Sequence, residues 1–213
     1  MRNVTIALLC AIVAGLMVVP SGVSAVTMMT VQDNTGDIGF GVDPKTGFTM
    51  HTWGDNTPIV QAGYFDMTSV SLSQKGKAYT FGMELAAALP KEGSPLPGGI
   101  HLAEWAMWID PSPYNYFTNP VAPLFLIALR YDGSSYAAFV MDYGTRATTS
   151  IPFSVDGSKL QLQFSAASIG NLALQWWSPM VREWTGPLGT SGYWFVDAVV
   201  SESGLIDIPW PPA

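Results

Sequence analysis

Apolar and polar residues alternate with a period of two along much of the chain, which is the pattern of half-buried antiparallel strands. The segment 79–85 alternates Tyr, Phe, Met and Leu with Thr, Gly and Glu, and the segment 159–164 alternates Lys or Gln with Leu or Phe. No stretch has a clear period of 3.6, and the best short helical turn is Ser165–Gly170, with a capping Ser and a terminal Gly. Similar patterns predict further strands at 65–72, 102–109, 124–131, 136–143, 173–177 and 193–200.

Short turn signals separate the predicted strands. Lys75-Gly76, Asp132-Gly133 and Asp156-Gly157 are typical of hairpin connections. The segment 90–99 is rich in Pro and Gly, and we interpret it as a loop because strand patterns resume directly on both sides. About eight strands at this spacing, without intervening helices, predict an all-β antiparallel β-sandwich with jelly-roll or immunoglobulin-like layers. A closed barrel is the alternative.

Residues 1–25 have the features of a secretory signal peptide. Arg2 gives a basic start, Val4–Val19 is apolar and free of charge, and small residues precede a cleavage site after Ala25. The alternative is an uncleaved membrane anchor, but a span usually needs about 20 apolar residues, and this run is shorter. We therefore expect a secreted or cell-surface protein with one domain, 26–213, and no further membrane span.

The composition excludes several classes of protein. The chain is 48% hydrophobic and 12% charged, which is the reverse of a disordered chain. Its 16 acidic and 9 basic residues give a net charge of −7, which disfavours nucleic acid as a partner. The single cysteine, Cys10, lies in the predicted signal peptide, so the mature chain has neither a disulfide nor a catalytic thiol.

Several aspartates stand in short motifs. Asp33–Asp37 has the form D-x-x-G-D, Gly63–Asp66 ends in a hydrophobic residue followed by Asp, and Asp197 lies in the last predicted strand. With the strand 79–85 between them, this order resembles the DOMON-like superfamily of extracellular β-sandwiches. It is closest to family 9 carbohydrate-binding-module-like domains and to the C-terminal module of glucodextranase-type enzymes. The chain departs from that pattern at 200–204, where Val-Ser-Glu-Ser-Gly replaces Pro-Asp-x-Gly.

The resemblance implies a structural Ca²⁺ near the N-terminal end of the sandwich. Calcium prefers carboxylate and carbonyl oxygens, and glycine permits a tight wrap between such ligands. We therefore predict a calcium site formed by Asp33, Asp37, Asp66 and Asp197. Such a site would join both ends of a chain without disulfides. The alternative is a simple Asx-turn at 33–36 with a solvated Asp66.

Our first functional hypothesis is a non-catalytic protein that binds a glycan of the cell envelope. Carbohydrate sites combine aromatic faces with a few polar groups. Trp53 and Trp184 lie in loop-like sequence, and Trp108 shares one strand face with Glu104 and Asp110. That face is typical either of a wet groove or of an inter-strand cluster. The competing interpretation of each tryptophan is core packing, the more common role in a sandwich.

A second hypothesis is a structural subunit of an extracellular filament or surface layer, with copies of itself as partners. The apolar segment Val26–Gln32 follows the predicted cleavage site directly. Val26, Met28 and Thr30 alternate along it, and the segment pairs either with its own sheet or, by β-strand donation, with a neighbouring copy.

Two further functions are less favoured by the sequence. Some DOMON-like domains bind haem b through Met and His, but this chain offers only His51 and His101, for which a surface position is the default. An enzyme is disfavoured because no Gly-x-Ser-x-Gly, His-Glu-x-x-His or Walker pattern occurs. Glu104 and Asp110 lie six residues apart on one strand, about 20 Å, which is too far for a glycosidase pair.

Overall fold

The computed structural model describes residues 26–33, 41–43, 47–49, 62–110, 124–184, 193–198, 200–201, 204–205 and 208–210. The strands in chain order are β1 (Val26–Gln32), β2 (Gly41–Asp43), β3 (Gly47–Thr49), β4 (Met67–Lys75), β5 (Ala78–Leu85), β6 (Leu102–Asp110), β7 (Phe125–Tyr131), β8 (Tyr136–Asp142), β9 (Thr148–Ser150), β10 (Phe153–Asp156), β11 (Lys159–Ser165), β12 (Trp176–Trp184), β13 (Tyr193–Ala198), β14 (Val200–Ser201), β15 (Gly204–Leu205) and β16 (Ile208–Pro209). Two 3₁₀ turns, Gly63–Phe65 and Ala166–Ile169, accompany them. No helix in these ranges is long and apolar enough to cross a membrane.

Two antiparallel sheets build the fold. The first sheet has the strand order β1-β4-β5-β11-β10, and the second has the order β13-β12-β6-β7-β8-β9, with β16 also beside β12. The strands β2 and β3 form a separate ribbon, as do β14 and β15. The predicted all-β sandwich is therefore confirmed.

The core lies between the inner faces of the two sheets. Phe81 of the first sheet meets Trp177 of the second, with ring centroids 6.2 Å apart in an edge-to-face arrangement. Trp105 is fully buried beside Phe65, and its indole N–H donates to the carbonyl of Tyr64 over 2.7 Å. Because Phe81 and Trp177 come from separate sheets that meet face to face, the arrangement is a sandwich rather than a closed barrel.

The predicted turns are confirmed, and the structure shows the physical cause of each. Gly76 and Gly157 each have a φ of 60° in two-residue hairpin loops, where a side chain would be strained. At the third junction, the carboxylate of Asp132 accepts the backbone N–H groups of Ser134 and Ser135, both over 2.9 Å. Local sequence chemistry thus sets the connections β4–β5, β10–β11 and β7–β8.

The predicted turn at Ser165–Gly170 is also confirmed. Ser165 caps the 3₁₀ turn by accepting the backbone N–H of Ser168 over 3.3 Å, and Gly170 ends it with a left-handed φ of 66°.

Two strand predictions were wrong in their bounds. The first is 65–72, where Phe65 belongs to a 3₁₀ turn and β4 runs from Met67 to Lys75. In the second, the apolar run predicted a strand at 173–177, but β12 covers Trp176–Trp184. Pro179 lacks a backbone donor and interrupted the pattern. The strand tolerates it because β12 pairs with β16 up to Trp177 and with β13 only from Met180, so Pro179 falls between two ranges of pairing.

The strand β1 lies at an edge of the first sheet. It pairs with β4 over all seven residues, from Val26 opposite Lys75 to Gln32 opposite Ser69. Its side chains alternate, with Met28 and Thr30 exposed and the intervening Met29 half-buried against the core. Of the two alternatives for this segment, pairing within its own sheet is the one observed.

Candidate functional site

A buried ion cluster lies on the outer face of the second sheet. Glu104 of β6 is fully buried, and the register places Arg130 on one side of it and Arg182 on the other. Arg130 Nε donates to Glu104 Oε2 over 2.6 Å, and Arg182 Nε donates to Oε1 over 2.8 Å. Arg182 Nη2 also contacts Oε1. The predicted strand face is therefore an inter-strand cluster.

Aromatic rings continue this cluster into a stack. The Arg182 guanidinium lies 5.5 Å from the Trp108 ring centroid and 5.2 Å from that of Trp184. The Arg130 guanidinium lies 5.8 Å from Trp184 and 4.4 Å from Phe139. Rings and guanidiniums thus alternate across the sheet, an arrangement that cation–π attraction stabilises. We call these five residues together with Glu104 the arginine–tryptophan stack.

The carboxylate and the guanidiniums of the stack stabilise one another's charged forms. Burial by itself would lower the pKa of the Arg182 guanidinium, but the charge of Glu104 together with Tyr143 outweighs burial and raises that pKa. Arg182 therefore stays protonated. Two guanidiniums facing one carboxylate leave one net positive charge.

The predicted ligand-binding tryptophans occupy different surroundings from those expected. Trp184 is the last residue of β12 and is 5% exposed, so its assignment to a loop was wrong. Trp108 is 6% exposed, and its indole N–H donates to the hydroxyl of Tyr143 over 3.1 Å. Both rings pack against guanidiniums and present little surface to a sugar. Trp53 lies outside the described residues.

Asp110 belongs to the same strand face but not to the stack. The hydroxyl of Ser178 donates to Asp110 Oδ2 over 3.3 Å, and both residues are buried. Asp110 and Glu104 are six residues apart on β6, about 20 Å, as expected from the strand rise. The two carboxylates therefore serve separate local networks.

The predicted calcium ligands are only partly described. Asp33 and Asp66 lie at the same end of the first sheet, because the backbone N–H of Asp33 donates to the carbonyl of Thr68 over 3.0 Å. Asp197 lies on β13 of the second sheet, opposite Val181, and its side chain is outside the described set, as is Asp37. Within the described ranges, no three Asp, Glu, His or Cys side chains form a group that could hold a metal.

Of the two histidines considered as haem ligands, His51 lies outside the described residues. His101 is exposed in the connection before β6, and its backbone N–H donates to the carbonyl of Trp184 over 2.7 Å.

The outer face of the first sheet has the opposite character to the stack. Its side chains are mostly hydroxyls and amides, which are exposed or half-buried, and we call it the polar face. The central row runs from Ser71 through Gly82 to Gln161. The members on the three middle strands are Ser69, Ser71, Ser73, Lys75, Ala78, Thr80, Gly82, Glu84, Lys159, Gln161, Gln163 and Ser165.

Two features shape the centre of the polar face and limit its charge. A Cβ at Gly82 would lie 2.7 Å from Ser71 Oγ, so the centre of the face accommodates only glycine without a shift. Lys159 and Glu84 neutralise each other across a distance of 3.3 Å. Of the remaining members, Lys75 at the end of β4 is the one that carries a charge.

A buried carboxyl group lies on the inner side of the second sheet. Glu183 is opposite Ala103, which in turn is opposite Tyr131, at one end of the core. Burial raises the pKa of Glu183 to about 7, and Glu183 Oε2 has no hydrogen-bond partner among the described residues. Burial is the main cause that raises the pKa of the nearby Tyr64 hydroxyl, and the charges of Glu183 and Tyr131 raise it further.

Sequence reasoning missed both the polar face and Glu183. The alternation in 79–85 and 159–164 already marked the outward residues, but not that β4, β5 and β11 are neighbours. Extending the strand 173–177 across Pro179 would have placed Glu183 on the same face as Trp177.

Comparison with family models, with curated proteins and with solved structures found no match to this chain. The resemblance to DOMON-like domains therefore stays a hypothesis from the motifs alone.

Proposed function

We propose that this protein is an exported, non-catalytic β-sandwich that binds a neutral glycan of the cell envelope. The observation that carries this proposal is the polar face, where hydroxyl and amide side chains cover the outer side of three adjacent strands. Ser, Thr and Gln side chains both donate and accept hydrogen bonds, which matches the hydroxyl groups of a sugar.

The charge of the chain favours a neutral glycan over an acidic one. A net charge of −7 repels a polyanion at long range. On the polar face, Lys159 is paired with Glu84, and the second cation, Lys75, lies at the last position of β4. A surface with no bulky side chain at its centre suits an extended polymer chain, with affinity distributed over several weak hydrogen bonds.

The combined substitution Gln161→Ala and Gln163→Ala is expected to weaken glycan binding about tenfold, because each lost hydrogen bond contributes roughly 0.5–1.5 kcal/mol. Both side chains are exposed, so the melting temperature should change little. Affinity electrophoresis in gels containing dextran, xylan or hydroxyethyl cellulose, together with pull-down on chitin, measures the effect.

The matched control is Gln175→Ala, the same substitution at an exposed position outside the polar face. It should bind like the unaltered protein. Equal retardation of the double variant and of the control in every gel would place binding elsewhere, and no retardation of the unaltered protein on any of these polymers would contradict the proposal.

We further propose that Ca²⁺ stabilises the end of the sandwich where Asp33 lies beside the start of β4, with Asp33, Asp37, Asp66 and Asp197 as its ligands. The support is the backbone bond that brings Asp33 beside the start of β4. EDTA is expected to lower the melting temperature and added Ca²⁺ to restore it, because an ion that binds only the folded state stabilises it. Calorimetry measures this shift, and the same melting temperature with and without EDTA at neutral pH would exclude the site.

A further inference from the structure

The free edge of β1 presents a regular row of backbone groups. Within the described residues, β1 pairs only with β4, on one side. The backbone N–H of Asp33 donates to Thr68, its register partner, over 3.0 Å. Because such bonds alternate along an antiparallel pair, the odd-numbered residues of β1 bond to β4. The N–H and C=O groups of Met28, Thr30 and Gln32 therefore point to the open edge.

The strand β1 itself carries none of the sequence features that prevent pairing with another strand. Natural sheets protect their edges with charged side chains, proline or bulges. Val26–Gln32 contains no charged residue and no proline, and its register with β4 runs without a shift. Met28 is 61% exposed on this strand. The edge is thus competent to accept a further strand along its whole length.

We propose that a second copy of this chain adds to this edge, with the two β1 strands antiparallel about a two-fold axis at Met29. This register overlaps all seven residues and places Met28 opposite Thr30 of the second copy. The two first sheets then become one continuous ten-stranded sheet, five strands from each copy. Each β1 keeps its own bonds to β4, so the assembly needs no strand donation.

The choice of a second copy follows from the chemistry of the strand. A two-fold axis through Met29 brings no like charges together, because β1 is uncharged. If the chain is cleaved after Ala25, the new ammonium group at Val26 lies opposite Gln32 of the second copy. The carbonyl of Gln32 points to the open edge, so it can accept a hydrogen bond from that ammonium group at both ends of the paired strands.

The test compares two proline substitutions in the full exported protein. Thr30→Pro removes an N–H that points to the open edge and leaves the bonds to β4 intact. Sedimentation velocity from micromolar to millimolar concentration should show dimers of the unaltered protein. The variant should raise the dimer dissociation constant on the order of tenfold or more, because the two-fold axis removes two hydrogen bonds at once. Its melting temperature should stay close to that of the unaltered protein under monomeric conditions.

Val31→Pro is the matched control, because it removes a donor that bonds to β4 and should lower the melting temperature. Met28→Lys is a second variant, which adds a charge at the edge without changing the backbone, and it should also abolish the dimer. A protein that is monomeric at every concentration, or a dimer that both Thr30→Pro and Met28→Lys leave unchanged, would overturn the proposal.

Discussion

Replacement of Glu104 by glutamine is expected to destabilise the fold by about 3–5 kcal/mol, the cost of breaking a buried ion pair from one side. Glu104 is fully buried and bonds to both Arg130 and Arg182. Without its carboxylate, the two guanidiniums of the stack lose the negative charge that they share. The buried Arg182, held between two tryptophan rings, has the least access to water and should contribute most of the loss.

Urea denaturation measures this effect, and Glu84→Gln is its matched control. Glu84 also forms an ion pair, with Lys159, but on the solvent-exposed polar face. Surface pairs contribute between zero and about 1 kcal/mol, so the control should lose little stability. Similar losses for the two substitutions would show that the Glu104 pairs are not a principal source of stability.

Replacement of Glu183 by glutamine is expected to abolish a dependence of stability on pH between 4.5 and 7. The ordinary pKa of Glu is 4.5, and burial raises the pKa of Glu183 in the folded protein to about 7. Below pH 4.5 the group is protonated in both the folded and the unfolded chain. Between these values the folded chain retains a proton that the unfolded chain has released, so stability falls as the pH rises and levels off above pH 7.

The size of this effect follows from the shift. A shift from 4.5 to about 7 corresponds to a stability loss on the order of 3 kcal/mol across the window. Glutamine has a similar shape and does not ionise, so the variant should match the unaltered protein at pH 4 and exceed it in stability at pH 8. Denaturation curves at intervals of pH measure both profiles, and parallel profiles over the whole range would contradict the assignment.

The fold followed from the sequence where local rules decide it. Glycines at the hairpins, a capping Ser165 and an alternation of period two identified turns and strands without any knowledge of their neighbours. The bounds of β12 could not be predicted in this way. Pro179 is acceptable in that strand only because the pairing partner changes from β16 to β13 beside it, and that change is a property of the sheet.

The candidate sites also show which features a local pattern predicts and which depend on long-range pairing. Alternation identified Glu104 and Trp108 as members of one outward face, and it separated Glu104 from Asp110. Alternation could not identify the two guanidiniums that bind Glu104, because Arg130 and Arg182 lie 26 and 78 residues further along the chain, on other strands. Long-range pairing of this kind depends on the strand order rather than on any local pattern.

The sequence by itself therefore determined the class of this protein: an all-β chain whose strands and tight turns follow from side-chain periodicity and backbone geometry. Only the tertiary structure decided which sheet faces carry the ion cluster, the exposed polar side chains and the buried carboxyl group. It paired Glu104 with two arginines, left the polar face open and buried Glu183, because cross-strand neighbours are set by sheet order and register. Among the described strands, the same order leaves β1 at an edge of the first sheet, paired with β4 alone.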